Sequence, residues 1–352
     1  MTGHNSSFDK QMMQRCLELA RRGGAQALPN PLVGSVIVHE GRIIGEGWHE
    51  RFGGPHGEVH AVNSVSEADR KLFPEATIYI NLEPCAHQGK TPPCADMLVR
   101  EGFKRVVIGL RDPNPKVNGG GIQKLLDAGI EVSVGLLQAE GRKLNRFFLS
   151  AFEKQRPWIM LKWAESSDGF AGTAEGGPTP LTGKLANRVS HQWRGFYQSI
   201  LVGTNTAAAD NPSLGTRLAP GPDPLRIAVD LDSKLTHSLQ IFDGSIPTLI
   251  VCRDKRELPQ QVEVLEVKGL NWIPELLNHL HSRGIQSLMV EGGPILQRSF
   301  LEQNLWDEIR RWKTPVELGP RGGSPVAEAP TAASHQEFIG PDQLLTYYRQ
   351  SF

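Results

Sequence analysis

The feature that most limits how this chain can fold is a trio of metal-loving side chains spread from position 56 to position 94. His56 stands in "PHGEVHAV"; Cys85 and Cys94 stand in "LEPCAHQGKTPPCADML". One imidazole and two thiolates balance the charge of Zn²⁺ and leave a fourth position open for water. Cys85 follows a strand through Pro84. Cys94 follows Pro92-Pro93 at the start of a helix, where unpaired N–H groups and the dipole stabilise a thiolate.

Three uses of these donors compete. In a structural Cys₂His₂ site both His56 and His60 would bind, but such sites space their cysteines by two to four residues, and eight residues separate Cys85 from Cys94 here. A metalloprotease helix needs Glu directly after the first His; Gly57 holds that place and Glu58 comes one later. The third pattern, H-x-E followed by P-C…C, is that of zinc deaminases of nucleobases. It makes His56, Cys85 and Cys94 the ligands, with Glu58 off the metal as the proton carrier. Zinc lowers the pKa of water toward about 7, so hydroxide is available at neutral pH. His60, one turn beyond His56, is read as packing or hydrogen-bonding. Most nucleobase deaminases have P-C-x-x-C, and the longer stretch between these cysteines argues against a plain cytidine or tRNA-adenosine deaminase.

At 352 residues the chain exceeds the size at which one core stops growing, which predicts two domains. Lys plus Arg and Asp plus Glu each total 38, so the basic excess of a nucleic-acid binder is missing. The four cysteines, Cys16, Cys85, Cys94 and Cys252, are too few for a disulfide scaffold. The opening "MTGHNSSFDKQMMQRC" lacks a signal-peptide pattern, and no apolar run reaches the roughly 20 residues that span a membrane. These readings predict a cytoplasmic protein.

Ser7 is expected to cap a helix to about Arg22, with Met12, Cys16, Leu19 and Ala20 as its buried stripe and Gly23 as its end. "LVGSVIVHEGRIIGEG" reads as a hairpin around His39-Glu40-Gly41. Helices over about 57–66, 94–102 and 121–128 alternate with strands "TIYINL", "RVVIGL" and "IEVSVG", which predicts a three-layer α/β domain. A helical segment over 138–154 leads into a second α/β half with strands "WIMLKWA", "SILVG", "RIAVD", "TLIVC" and "SLMVEGG". The expected domains are 1–148 and 149–352.

Taken together, "PNPLVGSVIV", "PHGEVHA", "LEPCAHQGKTPPCADML", "DPNPKVNGGGI", "LKWAESSDG", "VGTNTAAADNPSL" and "VEGGPILQRSFL" resemble the bifunctional riboflavin-biosynthesis proteins over nearly the whole chain. The resemblance implies a cytidine-deaminase-like first half acting on a diaminopyrimidinone carrying a ribosyl phosphate. Asn30, His49, Lys90, Asp112 and Asn114 would contact that substrate, with amide and carboxylate groups on the ring edge and Lys90 at the phosphate. It implies a dihydrofolate-reductase-like second half that uses NADPH to reduce the ring-opened ribosyl group to a ribityl chain. There Lys162, Pro178, Arg194, Leu214, Arg217 and Glu291 fall on the substrate side. Ala164, Pro180, Thr206, Asp210, Gly293, Pro294, Ile295, Leu296, Gln297, Arg298 and Ser299 fall on the cofactor side. Relatives carry a polar-then-aromatic pair where this chain has Pro178 and Pro180, which offer no N–H and no polar group. Relatives also associate through the reductase half, which predicts a homo-oligomer, dimer or tetramer. The rival readings are a nucleoside or tRNA deaminase with an unrelated appended domain, and a zinc-stabilised binding module without catalysis.

Overall fold

The computed structural model describes residues 6–86, 92–254, 257–269, 271–350 and 352. The chain divides into two compact units, one ending at Lys154 and the other beginning at Gln155.

The first unit runs α1 (Ser7–Arg21), α2 (Gly24–Ala27), β1 (Gly34–His39), β2 (Arg42–Trp48), α3 (Gly57–Ser64), β3 (Thr77–Ile80), α4 (Cys94–Glu101), β4 (Arg105–Ile108), α5 (Gly120–Asp127), β5 (Glu131–Val134), α6 (Gln138–Leu144) and α7 (Arg146–Glu153). Its sheet has the order β2-β1-β3-β4-β5, with β1 antiparallel to both neighbours and the remaining pairs parallel. Successive strand side chains point to opposite faces. Ile37, Ile78, Ile80, Val106 and Ile108 therefore form one core with Val62, Leu98 and Leu125 of α3, α4 and α5. Val36, Val38, Tyr79 and Val107 face the other way, under Met13, Cys16 and Leu19 of α1. The result is the three-layer arrangement that the alternation predicts.

Local differences from the sequence reading have physical causes. Ser6, not Ser7, caps α1, because its side-chain oxygen accepts the Asp9 N–H at 3.0 Å. Met13, one position on from Met12, is the methionine fully inside. The hairpin turns where expected, with Glu40 and Gly41 both left-handed at φ 46° and 77°, the two-residue turn whose twist matches antiparallel strands. The single helix read over 138–154 is broken at Asn145. Asn145 is buried and its side chain is bound to Leu32: Oδ1 accepts the Leu32 N–H at 2.7 Å, and Nδ2 donates to the Leu32 carbonyl at 3.0 Å. Asn81 grips the same stretch, accepting from Gly34 N–H and donating to the Leu32 carbonyl. Two buried amides thus set the entry into β1.

The second unit runs β6 (Trp158–Glu165), α8 (Lys184–Arg194), β7 (Ser199–Val202), α9 (Thr204–Asp210), β8 (Leu225–Val229), β9 (Thr248–Cys252), β10 (Val262–Glu266), α10 (Trp272–Ser282), β11 (Ser287–Val290), α11 (Pro294–Glu302), β12 (Glu308–Lys313), β13 (His335–Ile339) and β14 (Asp342–Tyr348). Its sheet order is β10-β9-β8-β7-β11-β6-β12-β14-β13. Strands β10 through β12 in that order are parallel, and β14 and β13 close the edge antiparallel. Leu201, Ile227, Leu249, Leu288 and Ile159 pack against Leu276, Leu280 and Phe300 in one core. Their strands are apolar on both faces, as parallel strands under helices must be. The chain builds outward from β7 to β10, then returns to insert β11 between β7 and β6. Such a reversal opens a crevice at the carboxyl ends of the strands. No helix among the described residues is long and apolar enough to cross a membrane.

Replacing Asn145 with Ala would strand the buried Leu32 N–H. At about 1–3 kcal/mol for an orphaned buried donor, the expected loss is about 2 kcal/mol from the first unit. Urea unfolding of wild type and Asn145→Ala, followed by far-UV circular dichroism, measures it.

Candidate functional site

The metal-ligand candidates converge because each sits at the end of an element. His56 is the N-cap of α3 and Glu58 lies in its first turn. Cys94 is the first residue of α4, and Cys85 lies in the segment leaving β3. His56 Nδ1 is 3.6 Å from Cys85 Sγ and 3.3 Å from Cys94 Sγ. All three ligand atoms lie within 4.8 Å of one another, and they form the sole such cluster among the described residues. The Cys94 N–H donates to Cys85 Sγ at 3.2 Å, so a helix-start amide stabilises the neighbouring thiolate. The Cys94 thiol, and next to it His56, draw Cys85 down to about 4, while Cys85 holds His56 up at about 9. A thiolate, an imidazole and a second thiol crowded this closely hold protons where a soft dication would replace them. The donor set fits zinc.

Glu58 is buried and burial pushes its carboxyl up; its Oε2 has no hydrogen-bond partner. An unpartnered buried carboxylate oxygen costs stability and calls for an explanation, of which a catalytic role or a bound ion is one. His60 stays outside the ligand cluster.

Two further predicted residues meet near the trio. His49 is buried, with its ring centroid 5.7 Å from that of His56. His49 Nδ1 is 2.8 Å from the Pro55 carbonyl, which can only accept, so Nδ1 carries the proton and Nε2 accepts from Asn30 Nδ2 at 3.0 Å. Burial lowers the His49 pKa and keeps the ring neutral. The chain of bonds turns Asn30 so that its carbonyl oxygen is the end left over. Asp112 is buried and raised to about 6, by burial first and by the nearby Glu83 and Cys85 next. Its Oδ1 accepts the Asn114 N–H at 2.8 Å, so Asp112 and Asn114 share one turn. Lys90 lies outside the described residues.

Glu83 escaped the sequence reading. It is buried, and its carboxylate accepts the backbone N–H groups of Asp112, Gly119, Gly121 and Ile122. The readable signal is the glycine run "NGGGI", whose amides need acceptors once folded inward.

In the second unit a cleft of about 660 Å³ lies at the switch point, lined by the ends of β6, β7 and β11 and the segments after them. Of the predicted cofactor-side residues, Ala164, Pro180, Thr206, Asp210, Gly293, Pro294, Ile295, Leu296, Gln297 and Ser299 line it; Arg298 does not, and faces solvent with its Nε on the Pro294 carbonyl. Of the substrate-side residues, Lys162 and Glu291 line it, whereas Pro178, Arg194, Leu214 and Arg217 stand outside the lining. Gln297 is buried and donates to the Lys162 carbonyl at 3.0 Å, tying α11 to β6. The open N-terminus of α11, with Gly293 as its cap, suits a phosphate.

At this cleft, charged side chains gather on Glu291. Arg194 grips it with both nitrogens, Nε to Oε1 at 3.0 Å and Nη2 to Oε2 at 2.6 Å, and Lys162 Nζ lies 3.9 Å away. Burial pushes the Glu291 carboxyl up, but Arg194 and Lys162 overturn this and hold it at about 2. Burial lowers Lys162. Arg194 Nη1 also donates to the Gly215 carbonyl, next to Leu214, which is buried with φ 57°. The Arg217 side chain reaches Ser213, and its N–H donates to His191 Nδ1 at 3.1 Å. His191 was also missed: a His inside an amphipathic helix carries no sequence mark of its neighbours. Burial, then Arg194 and Arg217, lower it to about 4.

Two family patterns match the chain. "Cytidine and deoxycytidylate deaminase zinc-binding region" covers residues 6–110, and "RibD C-terminal domain" covers residues 157–337. The chain is similar to riboflavin biosynthesis protein RibD of Aquifex aeolicus, 39% identical over 89% of this chain and 88% of that protein. Against the RibD of Bacillus amyloliquefaciens it is 41% identical over 89% and 86%. The crystal structure of a diaminohydroxyphosphoribosylaminopyrimidine deaminase/5-amino-6-(5-phosphoribosylamino)uracil reductase from Thermotoga maritima superposes with a TM-score of 0.88, at 35% identity, over 96% of this chain and 98% of that one. Acinetobacter baumannii RibD superposes with a TM-score of 0.87, at 33% identity, over 97% and 98%.

The His191 environment sets a pH dependence. Its folded pKa of about 4 lies below the ordinary 6.5, so between these values the unfolded chain binds more protons and stability rises with pH. The urea midpoint of the second unit, read by tryptophan fluorescence, is expected to fall as pH drops from 6.5 toward 4. In His191→Asn, which keeps an acceptor for the Arg217 N–H but has no titrating ring, that slope flattens.

Proposed function

This chain belongs to the RibD family of riboflavin biosynthesis proteins, and from that membership we propose how its residues divide the work of a bifunctional deaminase and reductase. The first unit, cytidine-deaminase-like, deaminates a diaminopyrimidinone ribosyl phosphate. The second, dihydrofolate-reductase-like, reduces the ribosyl group of the deaminated pyrimidine to ribityl with NADPH. The rival of a non-catalytic zinc module is disfavoured by one observation, which carries the assignment: beside three converged ligands stands a buried carboxylate oxygen with no partner.

When bound by His56, Cys85 and Cys94, zinc supplies the Lewis acidity that makes water nucleophilic at neutral pH. Glu58 takes the proton from the attacking water and passes it to the departing amine, so one group serves first as base and then as acid. Its burial and its unpartnered Oε2 support this role. Asn30, oriented by neutral His49, and the Asp112–Asn114 turn read the polar edge of the ring, and Lys90 meets the phosphate. A protonatable Asp112 can donate as well as accept, which suits an amino-pyrimidinone.

NADPH, when bound in the second unit, supplies the hydride. The α11 N-terminus and the segment from Gly293 to Ser299 cradle its phosphates, with Ala164, Pro180, Thr206 and Asp210 along it; Arg298, turned outward, would act through charge at the rim. Lys162, Pro178, Arg194, Leu214, Arg217 and Glu291 serve the substrate. Arg194 is spoken for by Glu291, so Arg217 is the more available of the two for a phosphate.

We also assign the protein to the cytoplasm, supported by the convergence of Cys85 and Cys94 on one metal site, a use that requires both thiols reduced. We assign self-association, as a dimer or tetramer, to the second unit, supported by edge strand β13 with Phe338 72% exposed.

Glu58→Gln is expected to cut ammonia release from the diaminopyrimidinone phosphate by about 10²–10⁴-fold while one zinc per chain remains by elemental analysis; equal rates would remove Glu58 from the mechanism. Cys94→Ser is expected to lose both metal and deamination, with NADPH oxidation on the deaminated product intact. A side chain at Gly293 meets no backbone strain at φ −62° and enters the cleft 3.1 Å from Thr206 Oγ1. Gly293→Val is therefore expected to weaken NADPH binding by about tenfold or more, read by cofactor fluorescence, with ammonia release unchanged.

A further inference from the structure

Glu83 lies two residues before Cys85 and is 4% exposed. Its Oε2 accepts from Asp112 N–H at 3.2 Å and Gly119 N–H at 3.1 Å; its Oε1 accepts from Gly121 N–H at 3.1 Å and Ile122 N–H at 3.3 Å. One oxygen thus closes both ends of the 112–119 loop, and the other caps the first turn of α5. The Glu83 backbone is bonded as well, donating its N–H to the Leu110 carbonyl at 2.8 Å. The contact is tight: a Cβ on Gly121 would come within 2.1 Å of the Pro84 carbonyl oxygen, so no other residue permits this approach. Hydrogen bonds to a charged group are the strong ones, and four of them converge here on a single carboxylate.

We infer that Glu83 is a positioning residue for deamination, whose carboxylate holds the loop carrying Asp112 and Asn114 in fixed register with the metal-ligating stretch Pro84–Cys85. The inference rests on the function assigned above to Asp112, Asn114 and Cys85. Any acceptor could satisfy one loop amide; a single group that spans Asp112, Gly119 and the start of α5, from a side chain covalently two residues from a ligand, ties substrate-reading groups to the metal. Its loss should therefore appear as misplaced substrate contacts rather than as a lost ion.

Glu83→Gln keeps the shape but turns an NH₂ toward N–H donors. Hydrogen exchange, measured without substrate, is expected to speed at least about tenfold at the amides of Asp112, Gly119, Gly121 and Ile122, with the rest of the first unit unchanged. The KM for the diaminopyrimidinone phosphate is expected to rise about tenfold or more, with kcat little altered, one zinc retained per chain and NADPH oxidation kinetics as in wild type. Glu83→Asp, which restores the charge on a shorter stem, recovers part of the KM. Unchanged exchange at the four amides overturns the inference, as does an unchanged KM. Zinc loss with deprotection across the whole first unit also overturns it, since that is the mark of a purely structural acid. The exchange experiment needs no turnover, so its failure is distinguishable from a failure of the deaminase assignment, which shows as wild-type protein that releases no ammonia.

Discussion

Three donors from three chain segments can hold one ion only if the backbone delivers them to a common point, and here backbone amides do the delivering. His56 and Cys94 each begin a helix, and Cys85 receives the Cys94 N–H. Helix starts have amides with no intrahelical partner, so a thiolate is a natural neighbour for them. The sheet supplies the rest: β3 sets the segment leading to Cys85, and α3, packed across β2 and β1, sets the angle of His56 and Glu58.

Most of this architecture could be read in advance because it depends on short-range pattern. Alternating apolar residues in "SVIV", "TIYI" and "RVVI" fall on the two faces they imply, and the His56, Cys85, Cys94 trio was legible from residue type and order. What escaped depends on long-range side-chain bonds. Asn145 breaks a segment of good helix formers because Leu32, remote in sequence, offers an amide and a carbonyl for its side chain. The antiparallel edge of β13 and β14 escaped because partly exposed strands of mixed polarity carry weak periodicity. Glu83 and His191 escaped for the same reason as Asn145: a buried polar residue is defined by its partners, and those are set by the fold.

The two units use strand ends in different ways. In the first, the carboxyl ends of β3 and β4 lead into the Cys85 segment and the Asp112 loop, and Glu83 joins the two. In the second, the late insertion of β11 between β7 and β6 parts the helices that follow them, and the cleft is the gap that results. Pro178 and Pro180 bear on this cleft unequally. Pro180 lines it and Pro178 does not.

The same residue type acquires opposite behaviour in the two units. Glu291 is buried between Arg194 and Lys162, and their charges outweigh the cost of burial, holding it ionised down to about pH 2. Such a carboxylate is a fixed charge: it can orient Arg194 and Lys162, but it cannot carry a proton at neutral pH. Glu58 is buried with no cationic side chain bonded to it, and burial raises its pKa. A dication nearby would act in the other direction, favouring the ionised form. Opposed effects of that kind are the means by which a carboxyl group is fitted to proton transfer. Burial alone therefore does not decide what a glutamate does in this protein; the charges facing it do.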